Sequence, residues 1–88
     1  METRIASISI IVEDLNSVET LNSCLHEYGR YIIGRMGLPY PGDDRRIHII
    51  SIAIDAPQDV ISALSGKIGK LPGVSANTAY SNVVHHGA

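Results

Sequence analysis

Tyr31-Ile32-Ile33-Gly34-Arg35-Met36-Gly37-Leu38-Pro39-Tyr40 starts as a pleated, β-branched run and ends in a proline turn. Glycine weakens strand packing but lets another backbone approach, so Gly34 and Gly37 predict a bulged or edge strand here. The residues before this run read as strand then helix. Those after it read as strand, helix, strand. Its reading therefore decides whether the chain is one sheet covered by two helices.

Upstream, Arg4 to Glu13 is dense in β-branched residues and runs into the turn-prone Asp14. Alternation puts Ala6, Ile8, Ile10 and Val12 on one face and Ile5, Ser7, Ser9 and Ile11 on the other. Leu15 to Tyr28 repeats Val18, Leu21, Leu25 and Tyr28 at helical steps, the stripe of an amphipathic helix. Asp14 or Asn16 can cap its start. Asn16 and Glu19 have capping-box spacing, and Gly29 fits a left-handed stop.

Downstream, Pro39 to Arg46 reads as a turn. Ile47 to Asp55 is apolar on both faces, Ile50, Ile52 and Ile54 against Ile47, Ile49 and Ala53, which predicts a central strand. Pro57 to Gly69 reads as the second helix, with Pro57 at a first helical position, Asp59 near the positive end and Lys67 near the negative end. Val60, Ile61, Leu64, Ile68 and Leu71 form its apolar stripe. Leu71-Pro72-Gly73 turns the chain into a fourth strand, Val74 to Ser81. Residues 82–88 carry no pattern and are expected to be a flexible tail after a single domain spanning 1–81.

The order is β-α-β-β-α-β. The expected class is α+β with ferredoxin-like topology, a four-stranded antiparallel sheet with two helices on one face. Right-handed crossovers place the first and third strands in the middle. The uncovered face then carries Ile5, Ile11, Ile47, Ile49 and Ala53. An exposed apolar patch of that kind marks an interaction site, so self-association as a dimer or tetramer is expected, through this face or through a strand edge.

Bulk chemistry narrows the partners. Seven basic residues against nine acidic ones, a formal net charge of −2, are a poor basis for neutralising phosphates, so no direct nucleic-acid binding is expected. The chain has no Trp and no Phe, so stacking platforms for bases are scarce. Its one cysteine, Cys24, excludes an internal disulfide and a multi-cysteine zinc site. The start, Met1-Glu2-Thr3-Arg4, has no signal pattern, and no apolar run reaches the about 20 residues of a membrane span. A cytoplasmic location without membrane attachment is the expectation, and no cofactor is implied.

At Gly34-Arg35-Met36-Gly37-Leu38-Pro39-Tyr40 the chain resembles the family of iron-only hydrogenase system regulators. Ile11-Val12-Glu13-Asp14, Leu25-His26-Glu27-Tyr28-Gly29 and the run from Ile61 through Leu71-Pro72-Gly73-Val74 extend the likeness from about Arg4 to Ser81. The Leu-Pro-Gly-Val turn after a helix is shared with many ACT-type regulatory domains. The resemblance implies an ACT-like ferredoxin fold and kinship with the C-terminal ligand-sensing domain of nickel-responsive repressors, which oligomerise through such sheets. It also implies a regulatory role beside hydrogenase maturation proteins. Two departures stand out. The loop Glu13-Asp14-Leu15-Asn16-Ser17 lacks the glycine of amino-acid-binding ACT domains. Ile47-His48-Ile49-Ile50 has one histidine where the nickel-responsive relatives have a His-x-His pair, so their metal site does not transfer. A ribbon-helix-helix arm ahead of Arg4 is not expected.

Candidate chemistry is sparse. His48 is a possible metal ligand if others converge on it; a lone strand histidine is more simply a half-buried residue hydrogen-bonded to a neighbour. Arg35 between two glycines could form an anion-binding fork, against the simpler reading of edge glycines and a solvated arginine. His26 and Cys24 are expected to be structural, and His85-His86 to lie on the tail. Gly34, Arg35, Met36, Gly37, Ile47 and Ile49 are the candidate ligand-binding or interface residues. No catalytic motif stands out, so a regulatory module, not an enzyme, is expected, bound to a small effector or a hydrogenase-system protein at a subunit interface. The alternatives are a regulator acting on DNA through a separate partner and a small ferredoxin-like enzyme. The enzyme would require a deep pocket with His48 beside an acid or arginine.

Overall fold

Isoleucine at every second position builds the sheet, and two helical stripes cover one side of it. The computed structural model describes residues 2–38 and 47–86. The elements run β1 (Glu2–Val12), a 3-10 turn (Leu15–Ser17), α1 (Val18–Glu27), a second 3-10 turn (Gly29–Tyr31), β2 (Ile32–Leu38), β3 (His48–Ala56), α2 (Gln58–Gly69) and β4 (Val74–His86). The sheet order is β2-β3-β1-β4, antiparallel throughout. This is the α+β, ferredoxin-like βαββαβ arrangement. The expected Pro39 to Arg46 turn lies outside the described residues.

The core forms where the strand and helix periods meet. Ala6, Ile8, Ile10 and Val12 of β1 are buried, as are Ile52 and Ile54 of β3. Leu21 and Leu25 of α1 and Ile61, Leu64 and Ile68 of α2 close over them. Val18, Tyr28, Val60 and Leu71, the outer members of the two helical stripes, are partly buried against this cluster.

Three local expectations are corrected. First, α1 does not start with a capping box from Asn16. Asp14 Oδ1 instead accepts from Asn16 N at 2.9 Å, starting the 3-10 turn, and Ser17 Oγ donates to Pro72 O at 2.6 Å. Second, Gly29 is not left-handed, because the chain leaves α1 through a 3-10 turn that begins there. The glycine that does need left-handed freedom is Gly73, at φ 67°. A Cβ there would lie 2.6 Å from Asp14 Cβ, and Gly73 O accepts from Glu13 N at 2.7 Å.

Third, β4 continues past Ser81 to His86, across most of the stretch expected to be a tail. Val84, His85 and His86 pair with Arg4, Thr3 and Glu2 beyond an irregularity in register between Arg4 and Ala6. Arg4 stabilises that irregularity. Its Nη2 donates to Ser81 O at 2.6 Å and its guanidinium lies 5.1 Å over the Tyr80 ring. β-Branched Val83 and Val84 suit continued pairing, and the irregularity keeps the alternation of β4, since Tyr80 pairs with Ala6 and Val84 with Arg4.

Candidate functional site

The candidate residues cluster at the β2–β3 end of the sheet, and the register divides them between two faces. β2 is the edge strand, and its pairing with β3 shifts between Ile32 and Gly34. Ile32 pairs with core-facing Ile54, while Gly34, Met36 and Leu38 pair with Ala53, Ser51 and Ile49 of the uncovered face. The shift leaves Ile33 unmatched and reverses the alternation, so Arg35 and Gly37 pair with Ile52 and Ile50 and share the side covered by helices.

On the uncovered face, β1 contributes Ile5, Ser7, Ser9 and Ile11, and β3 contributes Ile49, Ser51, Ala53 and Asp55. Ser75, Asn77 and Ala79 of β4 complete it. Ile11 is 38% exposed, Leu38 42% and Met36 57%. The row through Ser7 holds small residues, Gly34, Ala53 and Ala79, while Met36 and Asn77 flank the next row and Ile11, Ile49 and Leu38 form a bulkier apolar ridge at one end. Asp55, at the far end, is its charged residue among the described positions. Ile47 precedes β3 and is half-buried.

On the opposite face a cleft of about 400 Å3 opens between α1 and the β2–β3 pair. Val18 and Leu21 of α1 form one wall, and Val12 and Ile50 the floor. Arg35 and His48 both line it. Arg35 Nη2 donates to Asn22 Oδ1 at 3.1 Å, a bond that spans from β2 to α1. Gly37 accounts for the open space: a Cβ added there would meet nothing within 4 Å. A second opening along the same seam is lined by Asn22, Leu25, His26, Gly29, Ile32 and Arg35, so the Arg35–Asn22 bond forms a bar between the two.

His48 is half-buried as expected, but it finds no hydrogen-bond partner among the described residues. No group of three or more His, Cys, Asp or Glu side chains among the described residues could hold a metal ion. His48 does meet Arg35 in one cleft, the juxtaposition that would point towards catalysis. The cleft is open, however, and no carboxylate among the described residues lines it to pair with the imidazole as acid or base. Cys24 is half-buried against the core, the position of a small packed hydrophobe. Asn22 escaped sequence reasoning, since one polar residue on an exposed helical face gives no signal until the opposing strand is placed.

Comparisons with known proteins agree with this architecture. Residues 4–78 match the family model described as "TM1266-like: Iron-only hydrogenase system regulator, putative". The solved structure of uncharacterized protein TM1266 from Thermotoga maritima superposes with a TM-score of 0.80 at 33% identity, covering 89% of this chain and 96% of that one. The apo form of CPII from Thiomonas intermedia K12, a nitrogen regulatory PII-like protein, superposes with a TM-score of 0.53 at 14% identity over 98% of each chain, a likeness of fold. No curated protein matches the sequence. No helix among the described residues is long and apolar enough to cross a membrane.

Proposed function

The chain belongs to the TM1266-like family of iron-only hydrogenase system regulators, and from that premise we propose that it is a homo-oligomeric, cytoplasmic regulatory module without catalytic activity of its own. Copies of the chain associate through the uncovered sheet face. The assembly then responds to a small effector or to a protein of the hydrogenase system bound at the subunit interface, beside Gly34, Met36, Ile47 and Ile49.

The observation that carries this reading is the chemistry of the uncovered face. Isoleucine, methionine and leucine stand exposed there around a floor of Ser, Ala and Gly. Sheets packed face to face approach to about 10 Å, which small central side chains permit. A second copy presents the same nearly uncharged surface, so little like-charge repulsion opposes a self-complementary contact. A nucleic acid would demand cations that the described positions of this face lack. A chain of this length also buries a modest share of its own surface, so association adds stability that the isolated fold lacks.

Light scattering over a concentration series tests the proposal. The expected result is a mass that is a multiple of one chain, and Ile11→Asp should lower it by placing a charge on the apolar ridge of the contact. A mass of one chain at every concentration overturns the oligomer. Unchanged assembly in Ile11→Asp with intact circular dichroism moves the contact from the sheet face to the β2 edge.

A further inference from the structure

We infer that the cleft between α1 and the β2–β3 pair is a binding site for a small aliphatic monocarboxylate, its carboxylate held by Arg35 and its hydrocarbon body between Val18, Leu21 and Ile50. This goes beyond the reading above: it is a separate site on the helix-covered side of β2, apart from the proposed subunit contact and from anything bound there.

Several observations converge on that ligand class. The cleft, about 400 Å3, falls in the size range of small-molecule sites. Its walls and floor are aliphatic. Arg35 is the charged side chain among its described lining residues, and its hydrogen-bond partner among the described residues is a neutral amide, Asn22, at 3.1 Å. A guanidinium with donors left over from one amide bond presents a fork that fits a carboxylate. Asn22 orients that fork by fixing Nη2, and His48, without a hydrogen-bond partner among the described residues, can donate to the anion from the β3 side.

One cation among the described lining residues favours a single negative charge over a doubly charged phosphate, which it would half-neutralise against apolar walls. The absence of a lining carboxylate among the described residues weighs against an α-amino acid, because its ammonium would have no counter-charge. Gly37 is the feature that admits the ligand. It stands on the covered face at a position where a side chain would enter the space, and none of the described residues comes within 4 Å of a Cβ there.

The test uses three probes that share one carbon skeleton: 4-methylpentanoate, 4-methylpentan-1-ol and leucine. Each is titrated into the full chain and followed by the amide resonances of Asn22, Gly37 and His48. The carboxylate is expected to bind saturably, and about tenfold more tightly than the alcohol or leucine, the order of one charge-assisted hydrogen-bonded contact. Arg35→Gln should bring the carboxylate down to the level of the alcohol. Gly37→Val should abolish binding of both, with the remaining spectrum retained and the thermal midpoint not lowered.

Equal binding of carboxylate and alcohol by the native chain overturns the inference. So does carboxylate binding that is unaffected by Arg35→Gln, or saturable shifts that map away from the cleft. If Gly37→Val disturbs the fold, Arg35→Gln with the alcohol as reference still decides the matter. Light scattering decides assembly separately, so failure of the cleft and failure of the oligomer are distinct results.

Discussion

Helix α2 seals its half of the sheet with Ile61, Leu64 and Ile68, none of which keeps exposed surface, whereas α1 leaves a cleft of about 400 Å3 beside its Val18–Leu21 wall. The two helices cover the same face and have comparable apolar stripes. The difference lies in the strands beneath them. β4 offers α2 partly buried Val74, Ala76 and Tyr80, and Thr78 Oγ1 donates to Ser65 Oγ at 3.2 Å. β2 offers α1 Ile32, then Arg35, which reaches sideways to Asn22, and then Gly37, which offers nothing. A half that is filled holds the fold, and a half that the described residues leave unfilled carries less of it.

The largest effects should therefore fall on the α2 half. Leu64→Ala removes a fully buried side chain whose neighbours cannot collapse into the space, and should cost about 2–5 kcal/mol in urea unfolding. Val18→Ala on α1 removes atoms that already face the cleft, and should cost about 1 kcal/mol or less. Equal losses at the two sites would break the comparison and mean that the cleft is closed in solution.

Next in size is the turn that ties the halves together. Gly73→Ala forces a side chain into a left-handed backbone and against Asp14 Cβ, which must move along with the Glu13–Gly73 bond. A loss of about 1–3 kcal/mol is expected by the same measurement.

The contrast between the halves was only partly legible in the sequence. The α2 half could be read directly, because Ile61, Leu64 and Ile68 keep helical spacing, β1 alternates next to it, and β3, apolar on both faces, reads as a central strand. The ferredoxin-like order followed from these periodicities together with the Leu15–Tyr28 stripe, the Tyr31–Leu38 strand and the turns between elements. The α1–β2 half could not be read in the same way. One extra residue at Ile33 exchanges the faces of everything after it in β2, so a period-two count begun at Ile32 places Gly34 and Met36, not Arg35 and Gly37, under α1. Arg35 and His48 therefore looked like two isolated residues with bland explanations. A bulge is set by backbone pairing, and the glycines showed that one was affordable without showing where it would fall. The expected tail fails for a different reason: extra residues between Tyr80 and Val84 interrupt the pairing, which resumes beyond them on the same faces.

A smaller effect, of opposite sign, sharpens the comparison. Gly37→Val fills space in which a Cβ meets no atom within 4 Å, on a strand that favours β-branched residues. It should raise stability by about 0.5–1 kcal/mol, because a glycine inside a strand carries an entropic penalty of that order. A protein that becomes more stable as it loses its cleft would mark Gly37 as a residue kept for something other than folding. A loss of stability would mean instead that α1 already rests on the Gly37 backbone.

The smallest effect is expected where the two helices touch each other. Lys67 Nζ of α2 lies 3.0 Å from Glu27 Oε1 at the end of α1 and 5.1 Å over the Tyr28 ring. The Tyr28 side chain first, and the Glu27 carboxylate second, hold the lysine above its ordinary range. A folded-state pKa raised above the unfolded value of 10.5 means that the contribution is fully present below pH 10.5 and is lost as the pH rises through the folded value. Both side chains are about half exposed, at 48% and 61%, so water and salt screen the pair. Glu27→Gln should therefore leave the thermal midpoint at pH 7 within experimental error of the native chain, and what difference remains should shrink in high salt. A large salt-sensitive loss at pH 7 would show that α1 depends on this pair for its attachment. The openness of its half would then reflect a helix held at one end by charge rather than a strand that lacks the side chains to meet it.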